Sequence, residues 1–257
     1  KLFHPAIFFG LYHWGDYLRF LIHRGPRKVF WCGSDILNLS QFWADRLLLN
    51  ESIHYCENEV EKEALEKLGV YAVVAPMVFD DPNNFSFTTS FTSSQSPHVW
   101  MCAPVDRERE YGLEQLEVSI ARQCPGVTFH VYGRAKPFNE LWWESGILHN
   151  RQYQNTNIIY HGRVPEEQFN REIKNYQGCL RLNEFDGCSE VIAKRTLLGQ
   201  YPVTKIKYPG IDSYTSEEEL VEWLKKLKHK RVPNPESQVW RKRFEDSDEA
   251  FNKLWKE

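Results

Sequence analysis

Residues 176–204 read Tyr176-Gln-Gly-Cys-Leu-Arg-Leu182, then Asn183-Glu-Phe-Asp-Gly-Cys-Ser-Glu190, then Val191-Ile-Ala-Lys-Arg-Thr-Leu-Leu-Gly199, then Gln200-Tyr-Pro-Val-Thr204. Turn formers flank a short apolar run, which predicts a strand over 179–182. An acidic, glycine-containing turn follows over 183–187. A helix is expected over 189–198, with Val191, Ile192, Arg195 and Leu198 within reach of one face. Gly199 supplies its stop. A second buried strand begins at Pro202. This β-turn-α-β unit puts its turn at the carboxyl end of a strand, the edge where open α/β sheets bind ligands. The helix N-terminus offers free N–H groups and partial positive charge, which suit a phosphate.

The same rhythm extends upstream. Strands are expected over 98–103, 127–132 and 158–160, ending at Gly133-Arg134 and at His161-Gly162-Arg163. Leu113, Leu116 and Ile120 fall at helical spacing, and so do Phe169, Ile173 and Tyr176 behind Pro165. Residues 138–146, with Trp142 and Trp143, are expected to be helical. Ser216 to Glu219 has capping-box spacing and opens a helix to 228. A last amphipathic helix is expected over 238–255. Nearer the N-terminus, strands are expected over 6–9, 29–32, 53–56 and 70–75. Helices are expected over 17–24 with Asp16 as N-cap, over 42–49, and over 59–68 behind a capping box at Asn58. Alternating strands and helices predict parallel sheets. Residues 81–97, rich in Asp, Asn, Ser, Thr and Pro, break the rhythm and are read as a linker. The expected domains are therefore 1–80, with the C-terminal helix 238–257 packed on it, and 98–237.

Composition narrows the function. With 257 residues, 42% hydrophobic and 14% aromatic, the chain is globular. A net charge of −3 gives no reason to expect nucleic acid as the main partner. Cysteines 32, 56, 102, 124, 179 and 188 contain no Cys-x-x-Cys pair. They are read as reduced apolar fillers of a cytoplasmic protein, without zinc or a disulfide framework. No apolar run approaches the roughly 18 residues that span a bilayer. The chain starts at Lys1 without Met, so an N-terminus trimmed or lacking upstream residues is expected.

The 176–204 stretch resembles the donor-binding segment of GT-B glycosyltransferases, above all the large retaining group-1 family. Asp186-Gly187-Cys188 stands for that family's Glu-Gly-Phe turn. Lys194 stands where a second Glu is usual, and Gly199-Gln200-Tyr201-Pro202-Val203 matches the family's Gly-x-Pro-Val ending with one extra residue. Trp31-Cys32-Gly33-Ser34-Asp35 is similar to a His-Gly-Ser-Asp turn of the same family. The resemblance covers nearly all of the second domain but only the later half of the first, which is expected to be abbreviated. It implies two Rossmann-like α/β domains and metal-independent, retaining transfer of a sugar from a nucleoside-diphosphate donor to a hydroxyl. It implies no cofactor beyond that donor, and a glycan, lipid-linked or protein acceptor.

The resemblance also distributes roles. Arg107 and Arg109, in the charged loop before Gly112, could reach phosphate or form a solvated loop. The family's lysine before that glycine is Tyr111 here. Gly133 and Arg134 match a glycine turn. Gly162, Arg163 and Val164 match the stretch that holds the nucleobase edge, while His161 reads as a structural histidine. Gly187, Cys188, Ser189 and Glu190 would offer N–H groups to phosphate. Asp186 would touch the sugar or cap the helix. Lys194 would supply the cation missing at Tyr111, or face solvent. In the first domain His13, just past the first strand, is with Asp186 and Lys194 a catalytic candidate, placed to orient the acceptor or sugar hydroxyl, although its position between Tyr12 and Trp14 also fits a packed aromatic cluster; Ser34 and Asp35, just past the second strand, are the acceptor-side candidates. Arg19, His23, Arg24, Arg27 and Lys28 make residues 17–28 a candidate membrane-surface contact. The rival to an enzyme is a non-catalytic nucleotide-sugar-binding or partner subunit of the same fold. A nucleotide-sugar epimerase is a third reading within the fold, but the sequence offers no extra acid–base pair to support it.

Overall fold

The computed structural model describes residues 3–46, 51–75, 96–136, 156–187, 189–208, 210–230 and 232–256. The expected helix at 138–146, Cys188 and most of the 81–97 stretch lie outside the described residues. The chain divides into two compact units. One comprises Lys1–Asp80, Phe185–Glu190 and Lys242–Glu257; the other comprises Asp81–Glu184 and Val191–Arg241.

In the first unit four parallel strands pair in chain order: β1 (Ala6–Phe9), β2 (Arg27–Phe30), β3 (Ile53–Cys56) and β4 (Ala72–Val74). Between them run α1 (Trp14–Ile22), the short α2 (Ser34–Leu37) and α3 (Gln41–Ala44), and α4 (Glu59–Glu66). Leu11, Phe20, Val29, Trp31, Cys56 and Leu65 form its core. The Phe8 and Phe20 rings meet edge to face at 5.1 Å. Asn58 caps α4 as expected, its side chain accepting from the Glu61 N–H at 2.9 Å. Helix α1 begins earlier than expected. Asp16 is not the N-cap but the third residue of the helix, and its carboxylate reaches back to the His13 N–H at 3.0 Å. A carboxylate in the first turn favours the helix from either place, so the sequence misplaced the boundary.

In the second unit six parallel strands run β10-β9-β8-β5-β6-β7. They are β5 (His98–Cys102), β6 (Thr128–Tyr132), β7 (Ile158–Gly162), β8 (Gly178–Arg181), β9 (Tyr201–Thr204) and β10 (Asp212–Ser213). A helical stretch over 113–123, called α5, contains a π-helical turn at Leu116–Ile120. Then come α6 (Glu166–Ile173), α7 (Glu190–Leu197), α8 (Glu217–Leu227) and α9 (Glu236–Lys256), the last contributing residues to both units.

Val99, Met101, Phe129, Val131, Leu180 and Val203 share a core with Leu116 and Ile120 of α5 and Leu220 and Leu224 of α8. Their alternate neighbours face the other way, toward α6 and α7. There Trp100 meets Phe169 edge to face at 5.2 Å, and the Arg195 guanidinium lies 4.7 Å over the Trp100 ring. Arg195 is 3% exposed and its Nε has no hydrogen-bond partner, so burial pulls its pKa down to about 10. Among the described residues no helix is long and apolar enough to cross a membrane.

One glycine locks this sheet to its loops. Gly112 has φ +75°, and a Cβ there would meet the Leu182 Cβ at 2.5 Å. The loop after β5 can therefore press against the chain leaving β8 only without a side chain at this position. Gly112→Ala is expected to destabilise the protein by about 2–4 kcal/mol, combining left-handed strain with a backbone-proximal clash. Urea unfolding measures the loss; an unchanged midpoint contradicts it.

Candidate functional site

The strand order fixes where a ligand can lie. From β5 the chain moves outward to β6 and β7, then returns to place β8 on the other flank of β5. Loops leaving β5 and β8 consequently diverge, and the crevice between them at the carboxyl edge is the usual site in open α/β sheets. The loop after β5 holds Asp106, the one non-glycine residue with positive φ (+71°) among those described. Such backbone strain concentrates at functional sites.

The expected donor-side residues fall at this edge with unequal freedom. Arg107 is half exposed and paired to Glu110, its Nε donating at 2.8 Å. Arg109, more exposed, pairs with Glu114 at 3.2 Å. Arg134 is different. It is 7% exposed, pairs with the equally buried Glu108, and its Nε donates to the Lys136 carbonyl at 2.8 Å. A buried pair of this kind ties the loops after β5 and β6 together. Gly133 (φ +95°) lets those loops approach, since a Cβ there would lie 2.8 Å from the Ala103 carbonyl oxygen. The Gly133 N–H donates to the Gly162 carbonyl at 2.8 Å, and the Gly162 N–H to the Arg134 carbonyl at 2.9 Å. Arg163 is exposed and Val164 half-buried beside them. Lys194 is half-buried on α7 and has an interaction partner.

The Asp186–Gly187 turn groups with the first unit. Asn58 Nδ2 donates to the Asp186 carbonyl at 3.0 Å. The Glu57 carboxylate lies where a side chain at Gly187 would go, and a Cβ on Gly33 would lie 3.0 Å from the Gly187 nitrogen. A carboxylate thus sits against the turn that the sequence assigned to phosphate. Behind it, Glu61 is fully buried, accepts from the Glu57 N–H at 2.6 Å and leaves Oε1 unpaired. Burial, then repulsion from Glu57, Asp35 and Asp186, pushes its pKa up to about 9. Ser189 is buried with its hydroxyl unpartnered.

Of the acceptor-side candidates, His13 and Ser34 are exposed past the ends of β1 and β2. Among the described residues no packed aromatic cluster encloses His13, since Tyr12 and Trp14 are both exposed. Asp35 is fully buried and accepts from the N–H groups of Leu11, Cys32 and Ile36 at 3.0–3.3 Å, so its carboxylate serves the loops themselves. The basic set of residues 17–28 is thinned: His23 and Arg27 turn inward, His23 bonding the His4 carbonyl and Arg27 lying over Phe20.

A cross-strand ladder escaped sequence reading. His98 Nδ1 lies 2.8 Å from His130 Nε2, and His130 Nδ1 lies 2.8 Å from His161 Nε2. His161 Nδ1 faces Glu172 at 3.7 Å, and Glu172 accepts from the Tyr132 hydroxyl at 2.8 Å. Every link is satisfied if each neutral ring carries its proton on Nδ1. Burial and the neighbouring rings hold His130 down at about 4. His161 therefore serves structure, as the sequence suggested.

No family profile and no curated protein matches this chain in sequence. Solved structures match it in fold. OtsA without ligand aligns at a TM-score of 0.70 and 10% identity, over 100% of this chain and 74% of OtsA. HepE from Anabaena, solved with UDP and glucose, aligns at 0.65 and 14%, over 93% and 74%. TarM aligns at 0.66 and 9%, over 98% of this chain and 54% of its own, so the chain spans about half of TarM's length. These neighbours are GT-B glycosyltransferases, and the α/β fold with parallel sheets is shared with them.

Acid should act oppositely on the two units. His130, depressed from 6.5 to about 4, contributes stability that is lost as pH falls through that window. Glu61, raised from 4.5 to about 9, contributes stability that is lost as pH rises between those values. Hydrogen-exchange protection at pH 7 and pH 5 is expected to fall for β6 amides and rise for α4 amides. His130→Asn flattens the first trend and Glu61→Gln the second. Parallel losses in both units contradict the assignment.

Proposed function

We propose that this chain moves a sugar from a nucleoside-diphosphate sugar to an acceptor hydroxyl, and that the second unit holds the donor. The carrying observation is the reversal of strand order at β5 and β8, which gathers the loops at 103–112 and 182–184 around one crevice, with those after β6 and β7 alongside. A leaving diphosphate gains negative charge and needs fixed cations and N–H donors. In this reading Arg107 and Arg109 face phosphate. The backbone around Gly162 and Val164 holds the base edge with Arg163 stacked on it, and the glycine at 133 allows close approach. Arg134 acts through its pair with Glu108, holding the loops. The roles of Asp186 and the 187–190 stretch toward the transferred sugar and its phosphate are proposed from the sequence resemblance alone. His13 and Ser34 orient an acceptor that is a glycan, a lipid-linked sugar or a protein. Metal independence and retention of configuration are proposed from the sequence resemblance alone, and the donor is the only small molecule invoked.

The fold likeness supports this reading, as does the UDP and glucose bound in HepE. Two observations favour the rival, a binding subunit without turnover. Glu57 sits against Gly187, and by the sequence resemblance Lys194 stands where a carboxylate is usual.

A thermal-shift screen of UDP, GDP, CDP and ADP with their sugars separates the outcomes. Ligand at about 100 times Kd adds about 2.7 kcal/mol to stability, so one nucleotide family is expected to raise Tm by several degrees. Slow hydrolysis of the matching sugar donor identifies the enzyme. Stabilisation without hydrolysis identifies the binding subunit, and no stabilisation by any nucleotide contradicts both.

A further inference from the structure

Arg181 ends β8, in the middle of the sheet, and played no part in the sequence reading. Its guanidinium lies over the Tyr111 ring, 4.5 Å from the centroid. The Arg107 guanidinium lies 5.4 Å from the centroid of the same ring. One cation therefore comes from the end of β8 and the other from the loop after β5, the two elements that flank the crevice. Two guanidinium groups on one ring repel, and Arg181 disfavours the charge on Arg107, although the bond to Glu110 more than offsets this. Arg181 also acts on Cys102 at the end of β5, favouring its thiolate against burial.

The geometry around the ring is built, not incidental. Gly112 docks the loop on Leu182, which fixes Tyr111 and Arg107 relative to the end of β8. Asp106, immediately before Arg107, holds the left-handed turn that aims the loop. Two residues beyond Arg181, Asn183 is 3% exposed with Oδ1 lacking a partner. That oxygen is an acceptor, so it suits a hydroxyl of the bound donor and not its phosphate oxygens.

We propose that Arg181, with Arg107 on the shared Tyr111 platform, is an anion clamp that takes the diphosphate of the donor. The proposal rests on the donor-binding reading of the second unit. A flat guanidinium held on an aromatic face loses little freedom when it meets phosphate, and a diphosphate carries enough charge to relieve the repulsion between two arginines. A monophosphate does so less well. Arg181 thus separates nucleoside diphosphates from monophosphates.

Calorimetric titration of the whole chain tests this. UDP, GDP, CDP and ADP are each compared with their monophosphates, and inorganic pyrophosphate is titrated separately. Arg181→Gln is expected to weaken the binding diphosphate about ten-fold or more while changing its monophosphate less than about three-fold. Arg181→Lys keeps the charge but not the flat stacking face, and is expected to fall between the two. It replaces the Gln variant if that one does not fold. Diphosphate affinity equal to wild type in the variant overturns the clamp. If no nucleotide binds the wild type, the donor reading fails by itself. Pyrophosphate binding that Arg181→Gln abolishes still upholds the clamp, and absence of pyrophosphate binding overturns it.

Discussion

The reversal of strand order between β5 and β8 in the second, all-parallel sheet constrains everything else. Because β8 returns to the opposite flank of β5, the connections leaving their carboxyl ends run to opposite sides, and that edge is where open α/β sheets bind ligands. The side chains at this edge answer that constraint. Glycines at 112, 133 and 162, all with positive φ, let four loops crowd together without filling the crevice. Glu108 and Arg134 neutralise each other inside the crowd, and Arg107 and Arg109 are paired with Glu110 and Glu114 at its more exposed rim.

The opposite face of the same sheet is polar for a buried layer. His98, His130 and His161 lie on neighbouring strands and join Tyr132, Tyr176 and Glu172 in one bonded set. Such a set is favourable only when every member is paired, which demands a fixed register between β5, β6 and β7. The ladder and the crevice therefore depend on the same alignment. The first unit carries its polar burden differently: Asp35, Glu57 and Glu61 are all buried; Asp35 accepts from three backbone N–H groups, while Glu61 keeps Oε1 unpaired.

Features encoded within a few residues were legible. The Asn58 and Ser216 caps, the Gly199 stop and the strand periodicity all reappear. Asp16 misled because a carboxylate suits both the cap and the first turn. The short helix Ser34–Leu37 and the π-turn at Leu116–Ile120 have no local signature. The site was legible as loops but not as contacts. Arg134 looked like a ligand-facing arginine beside a glycine, and only the fold brings Glu108 to it. Arg181 looked like part of a strand, although a charged residue closing the apolar run Cys179-Leu180 was a usable sign. The histidines of the ladder stand some thirty residues apart, and nothing short of strand register connects them.

The central claim is that a nucleotide diphosphate lies at the carboxyl edge between β5 and β8. Hydrogen exchange with and without saturating nucleotide tests it most directly. Protection gained at amides 103–112 and 182–184, with β10 and α8 unchanged, is the predicted result. Binding that leaves those loops as fast as before, or that protects the amino edge of the sheet instead, contradicts it.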